Sequence, residues 1–210
     1  MQKNVLAIPN GSLFEATIEL LKMVGLEIQT NGRSFKANIS GNDFFDQVVI
    51  VRPQDIPLLV SKKVADCGIC GWDCVVESGV NGFVKLAELN YSRKTNQPVR
   101  VVVFGKGQQL VDEPEIKVTT EYPNLSSTIF RKAKVFFSYG STEAKVATGL
   151  FDFGIGVTET GESLIQNGLQ ILKTILVSPT VFIANTSQKN ERFYRQFASR
   201  LKQQSLVFTK

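Results

Sequence analysis

Hydrophobic and polar positions along the 210-residue chain follow two rhythms that alternate. Short runs at residues 5–8, 47–51 and 99–104 have the length and apolar content of buried strands, and residues 66–71 read as another short strand. Between them, apolar residues recur at helical spacing. Leu13, Ala16, Leu20 and Val24 share one helical face, with Ser12 placed to cap the helix and Gly25 to stop it. Further helices are expected around residues 55–62 and from Asp73 onward. Residues 188–204 put Phe193, Phe197 and Leu201 at i, i+4 and i+8, the pattern of an amphipathic helix that packs on its own lobe or on a partner, the first being expected. Alternation of this kind predicts an α/β fold of mixed, mostly parallel sheet flanked by helices.

The pattern also repeats. Ala65-Asp66-Cys67-Gly68-Ile69-Cys70-Gly71 resembles Phe151-Asp152-Phe153-Gly154-Ile155-Gly156-Val157, with the two aspartates 86 residues apart. Each segment follows a helix-like stretch and precedes a turn, which predicts two lobes built alike. The polar stretch 91–98 separates two apolar segments and marks one crossing; Ser178-Pro179 marks the return. The expected division is residues 1–92 with 180–210 as lobe I and 93–179 as lobe II. The C-terminal ends of strands are where α/β sheets bind ligands, so the active site is expected in the cleft between the lobes.

Composition narrows the chemistry. Hydrophobic residues make up 43% and charged residues 20%, as in ordinary globular proteins. The net charge of +5 is scattered, with no basic stripe interleaved with aromatics. That argues against nucleic acid and suits a small anionic ligand. The apolar start before Pro9 is too short for a secretory signal, and no run approaches the ~18 apolar residues of a membrane span. A cytoplasmic protein is expected. Cys67, Cys70 and Cys74 are odd in number. On a strand, Cys67 and Cys70 point to opposite faces, so buried thiols are expected rather than a metal site. There is no histidine. Ser-His and Cys-His nucleophilic machinery is thereby excluded, and catalysis must rest on positioning, cations and backbone amides.

Two strand-to-helix turns carry suitable groups. Thr158, Glu159, Thr160, Gly161, Glu162 and Ser163 combine hydroxyls, a glycine and the amides of a helix start, a natural phosphate cradle. Asn10, Gly11 and Ser12 follow the first strand, where a glycine lets backbone approach a ligand closely. Arg52 directly follows the strand at residues 47–51, and Arg33 lies in a Gly-Arg-Ser loop. A guanidinium stays charged and donates paired hydrogen bonds, which suits pyrophosphate.

Seven segments in order resemble the ATP phosphoribosyltransferase family. They are Ile8-Pro9-Asn10-Gly11-Ser12-Leu13, Val51-Arg52-Pro53-Gln54-Asp55-Ile56-Pro57 and Val64-Ala65-Asp66-Cys67-Gly68-Ile69-Cys70-Gly71-Trp72-Asp73, followed by Glu88-Leu89-Asn90-Tyr91-Ser92-Arg93-Lys94 and Thr120-Glu121-Tyr122-Pro123-Asn124-Leu125. Phe137-Ser138-Tyr139-Gly140-Ser141-Thr142-Glu143 and Thr158-Glu159-Thr160-Gly161-Glu162-Ser163-Leu164 complete the series.

The resemblance implies a fold similar to type II periplasmic binding proteins. It also implies attack of N1 of ATP on C1 of phosphoribosyl pyrophosphate, with Mg²⁺ carried by the substrate phosphates. By position, residues 158–163 would hold phosphoribosyl pyrophosphate, and Arg33 and Arg52 would act on the leaving pyrophosphate. Gly11, Ser12, Asp73, Tyr91 and Arg93 would line the ATP site. The family usually has a lysine where this chain has Asn10 and an acid where it has Gly156. Those departures leave a second reading, a two-lobed binding paralogue without catalysis. The length resembles the short form of the family, which implies a hetero-oligomer with a regulatory subunit related to histidyl-tRNA synthetase.

Overall fold

The computed structural model describes residues 4–29, 36–40, 45–92, 97–186 and 191–208. The chain forms two compact units, Met1–Pro98 with Pro179–Lys210 and Val99–Ser178. The first unit opens with β1 (Val5–Pro9), a 3₁₀ turn (Gly11–Leu13) and α1 (Phe14–Met23). Then come β2 (Glu27–Gln29), β3 (Lys36–Ser40), β4 (Gln47–Val51), α2 (Ile56–Ser61), β5 (Cys67–Gly71), α3 (Trp72–Ser78) and β6 (Phe83–Leu89). The second unit contains β7 (Val99–Gly105), β8 (Lys117–Thr120), α4 (Pro123–Ser126), β9 (Lys134–Phe137), α5 (Thr142–Ala147), β10 (Phe153–Thr158), α6 (Glu162–Gln166) and β11 (Gln170–Ser178). The chain returns to the first unit as β12 (Thr180–Asn185) and α7 (Glu191–Val207).

The first sheet has the order β2-β3-β4-β1-β5-β12-β6 and the second β11-β7-β10-β8-β9. Parallel pairing joins β4, β1 and β5 in one, and β10, β8 and β9 in the other. The remaining pairs are antiparallel. Parallel pairing therefore holds at the centre of the first sheet and over the β10-β8-β9 side of the second, and the rest of each sheet is antiparallel. Only a short connection joins β3 to β4, too short for the crossover that a parallel pair needs.

The repeated Asp-x-Gly-Ile segments do the same work in both sheets. Val5 N–H donates to the Asp66 carboxylate at 2.7 Å, and Asp66 N–H donates back to the Val5 carbonyl at 2.9 Å. In the second sheet Lys117 N–H donates to Asp152 at 2.8 Å, and Asp152 N–H returns to the Lys117 carbonyl at 2.9 Å. Each aspartate locks the start of its own strand to the start of the parallel neighbour. Asp46 repeats the clamp between Asn4 and the start of β4. The glycine two residues on is needed for space. A Cβ on Gly68 would lie 2.4 Å from Ile56 Cγ2, and one on Gly154 would lie 2.3 Å from the Phe104 ring. Ile69 and Ile155 then enter the cores with no exposed surface.

Alternation distributes the remaining side chains. Cys67 and Ile69 join one core of the first unit, while Cys70 and Cys74 join the other, so the thiols do sit on opposite faces of β5. All three are free and buried, and desolvation pushes the Cys67 and Cys70 thiols upward in pKa, with a smaller push from neighbouring aspartates. Helix α7 covers the first sheet through Tyr194, Phe197, Ala198 and Leu201, with Phe45 edge-on to Phe197 at 5.1 Å. It thus packs on its own unit, the first of the two placements its amphipathic spacing allows. Ser12 does not cap α1. The chain turns at Gly11, with φ of 73°, and spends Ser12 in the 3₁₀ turn, so the α-helix begins two residues later and has no side-chain cap.

Candidate active site

Parallel strands bring their C-terminal ends to one edge of a sheet, and the turns that carry the described candidate residues lie there. In the first unit that edge carries the turn after β1, the turn after β4 and the start of α3. Asn10 N–H donates to the Val51 carbonyl at 2.8 Å, which ties the first two turns together. The backbone at Gly11 is open, with nothing within 4 Å of a would-be Cβ. Ser12 is exposed beside it. Arg52 is exposed where β4 ends, and none of the ion pairs among the described residues includes it. Asp73 is buried in the first turn of α3, where Cys74 Sγ donates to its carboxylate at 3.7 Å. Arg33 and Arg93 lie outside the described residues.

Tyr91 differs from the exposed residues of this edge. It leaves β6 at the same edge, yet its side chain is 2% exposed and belongs to the core. Thr17 Oγ1 donates to the Leu13 carbonyl at 2.7 Å, which uses its only hydrogen. The Tyr91 hydroxyl, 2.8 Å away, is therefore the donor to Thr17. Thr180 Oγ1 in turn donates to the Tyr91 carbonyl at 2.7 Å. Desolvation holds this phenol well above its ordinary pKa. Its ring and hydroxyl are engaged inward, so Tyr91 supports the edge from the core and forms part of the wall of a cleft there. The cleft, of about 190 Å³, opens at this edge and is lined by Glu88, Leu89, Asn90, Tyr91, Pro98 and Pro179. A larger groove of about 590 Å³ lies at the far end of α1 against Val207 and Phe208, away from the strand ends that carry the site.

In the second unit the edge carries the turns after β9 and β10. Gly161 has φ of 86°, a conformation that favours glycine, and precedes α6. Thr158 Oγ1 accepts from Gly161 N–H at 2.9 Å, and Thr160 Oγ1 from Glu162 N–H at 3.4 Å. The hydroxyls thus pre-shape the turn by holding its amides. Ser163 Oγ donates to the Glu143 carboxylate, joining this turn to the start of α5. Glu159 and Thr160 flank the bend, half-buried and exposed respectively. Residues 158–163 thus form one turn between β10 and α6. A Cβ on Gly156 would meet Phe104 at 3.4 Å and Thr142 Oγ1 at 3.5 Å, ordinary contact distances. The backbone there has room for the side chain it lacks.

Sequence reasoning passed over two cations at this edge. Arg100 pairs with Thr158 across β7 and β10. A single charge in the apolar run Val99–Gly105 is the signal that marks it. Lys145, on α5, reaches back to the turn after β9 and donates to Ser138 Oγ at 2.5 Å and the Gly140 carbonyl at 3.1 Å. Nothing in its local sequence sets it apart.

The family model described as ATP phosphoribosyltransferase matches residues 52–203. The ATP phosphoribosyltransferase of Koribacter versatilis is 38% identical over 199 residues, covering 91% of this chain and 68% of its own length. That of Pelotomaculum thermopropionicum is 35% identical over 199 residues with the same coverage. That of Nitratidesulfovibrio vulgaris is 36% identical over 188 residues, covering 86% of this chain and 63% of its own. The chain thus spans about two thirds of the length of these relatives. Among solved structures, the ATP phosphoribosyl transferase (HisG:HisZ) complex from Thermotoga maritima is similar with a TM-score of 0.80 and 27% identity. The match covers 98% of this chain and 100% of that one.

Proposed function

The chain belongs to the ATP phosphoribosyltransferase family, and on that premise we propose that it transfers the 5-phosphoribosyl group of phosphoribosyl pyrophosphate to N1 of ATP, the first step of histidine biosynthesis. The N1 lone pair forms the new bond to C1 of the ribose. The bond from C1 to the pyrophosphate oxygen breaks, its electron pair leaves with pyrophosphate, and the anomeric centre inverts. No protein nucleophile is required, which suits a chain without histidine.

The observation that carries this reading is the pre-shaped turn at residues 158–163, with its hydroxyls, its left-handed glycine and its bond to Glu143. An arriving 5-phosphate takes over the amides that Thr158 and Thr160 hold in its absence, and the same hydroxyls turn to donate to it. Arg52, exposed and outside any described ion pair, suits the departing pyrophosphate, whose negative charge grows as the bond breaks. Gly11 and Ser12 offer close backbone approach for the nucleotide, and Asp73 a carboxylate at the same edge. Arg33 and Arg93 keep their proposed roles from the resemblance alone. Mg²⁺ enters as part of the substrate, bound to its phosphate oxygens.

Assembly follows the same line. The Thermotoga maritima neighbour is a HisG:HisZ complex, and a hetero-oligomer with a regulatory subunit of that kind is the corresponding proposal here. Among the described residues no helix is long and apolar enough to cross a membrane; a cytoplasmic enzyme fits that fact. The test is formation of N1-phosphoribosyl-ATP, followed by ultraviolet absorbance with Mg²⁺ and pyrophosphatase, with and without the regulatory subunit. Product formation that rises with the second subunit is expected. Binding of phosphoribosyl pyrophosphate without product under either condition would assign the chain to the non-catalytic reading.

A further inference from the structure

The second unit's ligand edge is rich in negative charge. Glu159 and Glu162 lie in the turn itself, and Glu143 is bonded to Ser163 within it. An incoming phosphate meets like charges there, so the edge requires positive charge to work as an anion site.

Two side chains supply it, one on each side of β10. In the sheet order β11-β7-β10-β8-β9, Arg100 is on β7 and the Lys145 ammonium lies over the end of β9. Strand alternation fixes the face of Arg100. Val101 and Val103 enter one core and Val102 and Phe104 the other, so Arg100 lies on the face that Val146 of α5 and Leu164 of α6 cover. Arg100 and Lys145 are both half-buried, and neither belongs to any ion pair formed among the described residues.

The partners of Lys145 are neutral. Ser138 is 3% exposed and its hydroxyl donates to the Gly140 carbonyl at 2.8 Å, leaving its lone pairs for the ammonium. Such dipoles hold the lysine in place and leave its charge uncompensated. The nearest acid on its helix, Glu143, is two residues away and engaged with Ser163; residues at that spacing do not face one another on a helix. A surface lysine restrained in this way loses side-chain freedom for little return unless an anion arrives.

We propose that Arg100 and Lys145 flank the turn at residues 158–163 as a pair of cations that bind the phosphate of a phosphorylated sugar, Lys145 also fixing the shape of the turn at residues 138–141. The assignment rests on the functional reading above and deepens it. Its substrate is the 5-phosphate end of phosphoribosyl pyrophosphate, and ATP binding is independent of it.

The test uses the full chain with Lys145→Gln, Lys145→Arg and Arg100→Gln. Glutamine keeps a hydrogen-bond donor near Ser138 and removes the charge; arginine keeps the charge. Calorimetry with phosphoribosyl pyrophosphate should show binding weakened about tenfold in either glutamine variant, with the difference shrinking in high salt. Lys145→Arg should restore affinity to within about threefold, and ATP affinity should stay within about twofold throughout. Wild-type affinity for phosphoribosyl pyrophosphate in either glutamine variant overturns the proposal. So does equal weakening of both ligands together with a fall in melting temperature, which is the signature of structural damage. Turnover on the same samples separates the two readings. Charge-dependent binding without product sinks the reaction and leaves the cation pair standing, whereas turnover that is indifferent to both residues sinks only the pair.

Discussion

At the scale of single residues, two side chains at the same edge of the first sheet have opposite fates. Arg52 is exposed and outside any described ion pair, whereas Tyr91 is buried and hydrogen-bonded on both sides. Arg52→Ala should lower kcat/KM at least about 100-fold, the scale of losing one charge-stabilising donor. It should leave the melting temperature unchanged, since an exposed side chain at a strand end contributes little to the core. Tyr91→Phe should do the reverse. Turnover stays at the wild-type level, and denaturant titration reads a loss of about 1 kcal/mol for the missing bond to Thr17. Paired kinetics and unfolding curves on the two variants decide between these roles. Arg52 was legible in the sequence because a cation directly after an apolar strand must sit at its end. Tyr91 was not, because nothing in its local pattern says that a tyrosine just beyond a strand turns inward to a threonine 74 residues away. Lys145 escaped for the same reason, since its partners are reached through the turn and not through helix periodicity.

Elements follow from the sequence where one face is apolar and become illegible where backbone geometry decides. The strands at residues 47–51 and 99–104 and the spacing of Phe193, Phe197 and Leu201 were all readable, because burial imposes period 2 or 3.6. The start of α1 was not, since a left-handed Gly11 diverts the chain through a 3₁₀ turn. The antiparallel pairs of both sheets also escaped, as local pattern does not encode strand direction. Glycines within the strands make the sharper claim. Gly68→Ala places a methyl 2.4 Å from Ile56 Cγ2 and 3.2 Å from the Ala7 carbonyl. With backbone on one side there is little room to yield, and a loss of about 1–3 kcal/mol is expected. Gly156→Ala meets only ordinary contacts, and its effect should stay within about 0.5 kcal/mol. Urea denaturation of both variants tests the contrast; equal losses would mean that the close approach at Gly68 relaxes freely.

For the whole molecule, the repeat in the sequence announced two sheets with a shared local plan, and the clamps of Asp66 and Asp152 are that plan in physical form. The units differ in continuity. Val99–Ser178 is one uninterrupted segment whose sheet is complete and covered on both faces by its own residues. Expressed alone, it should fold, giving a cooperative thermal transition by circular dichroism at a lower midpoint than the full chain. A broad, non-cooperative melt would show that its core depends on the rest of the protein.

The first unit has no such option, and β12 is the reason. It occupies the slot between β5 and β6, bonded to both, although it follows them by some hundred residues of chain. During translation β5 and β6 leave the ribosome early and must wait with facing, unsatisfied edges while the whole second unit is made. That unit can fold as it emerges. Only when residues 180–185 appear can the older sheet close. The nascent chain therefore carries an open, apolar sheet edge for several seconds at ordinary elongation rates, about 5–20 residues per second. This window, and not the finished protein, is where the chain is most exposed to strand-seeking chaperones and to aggregation.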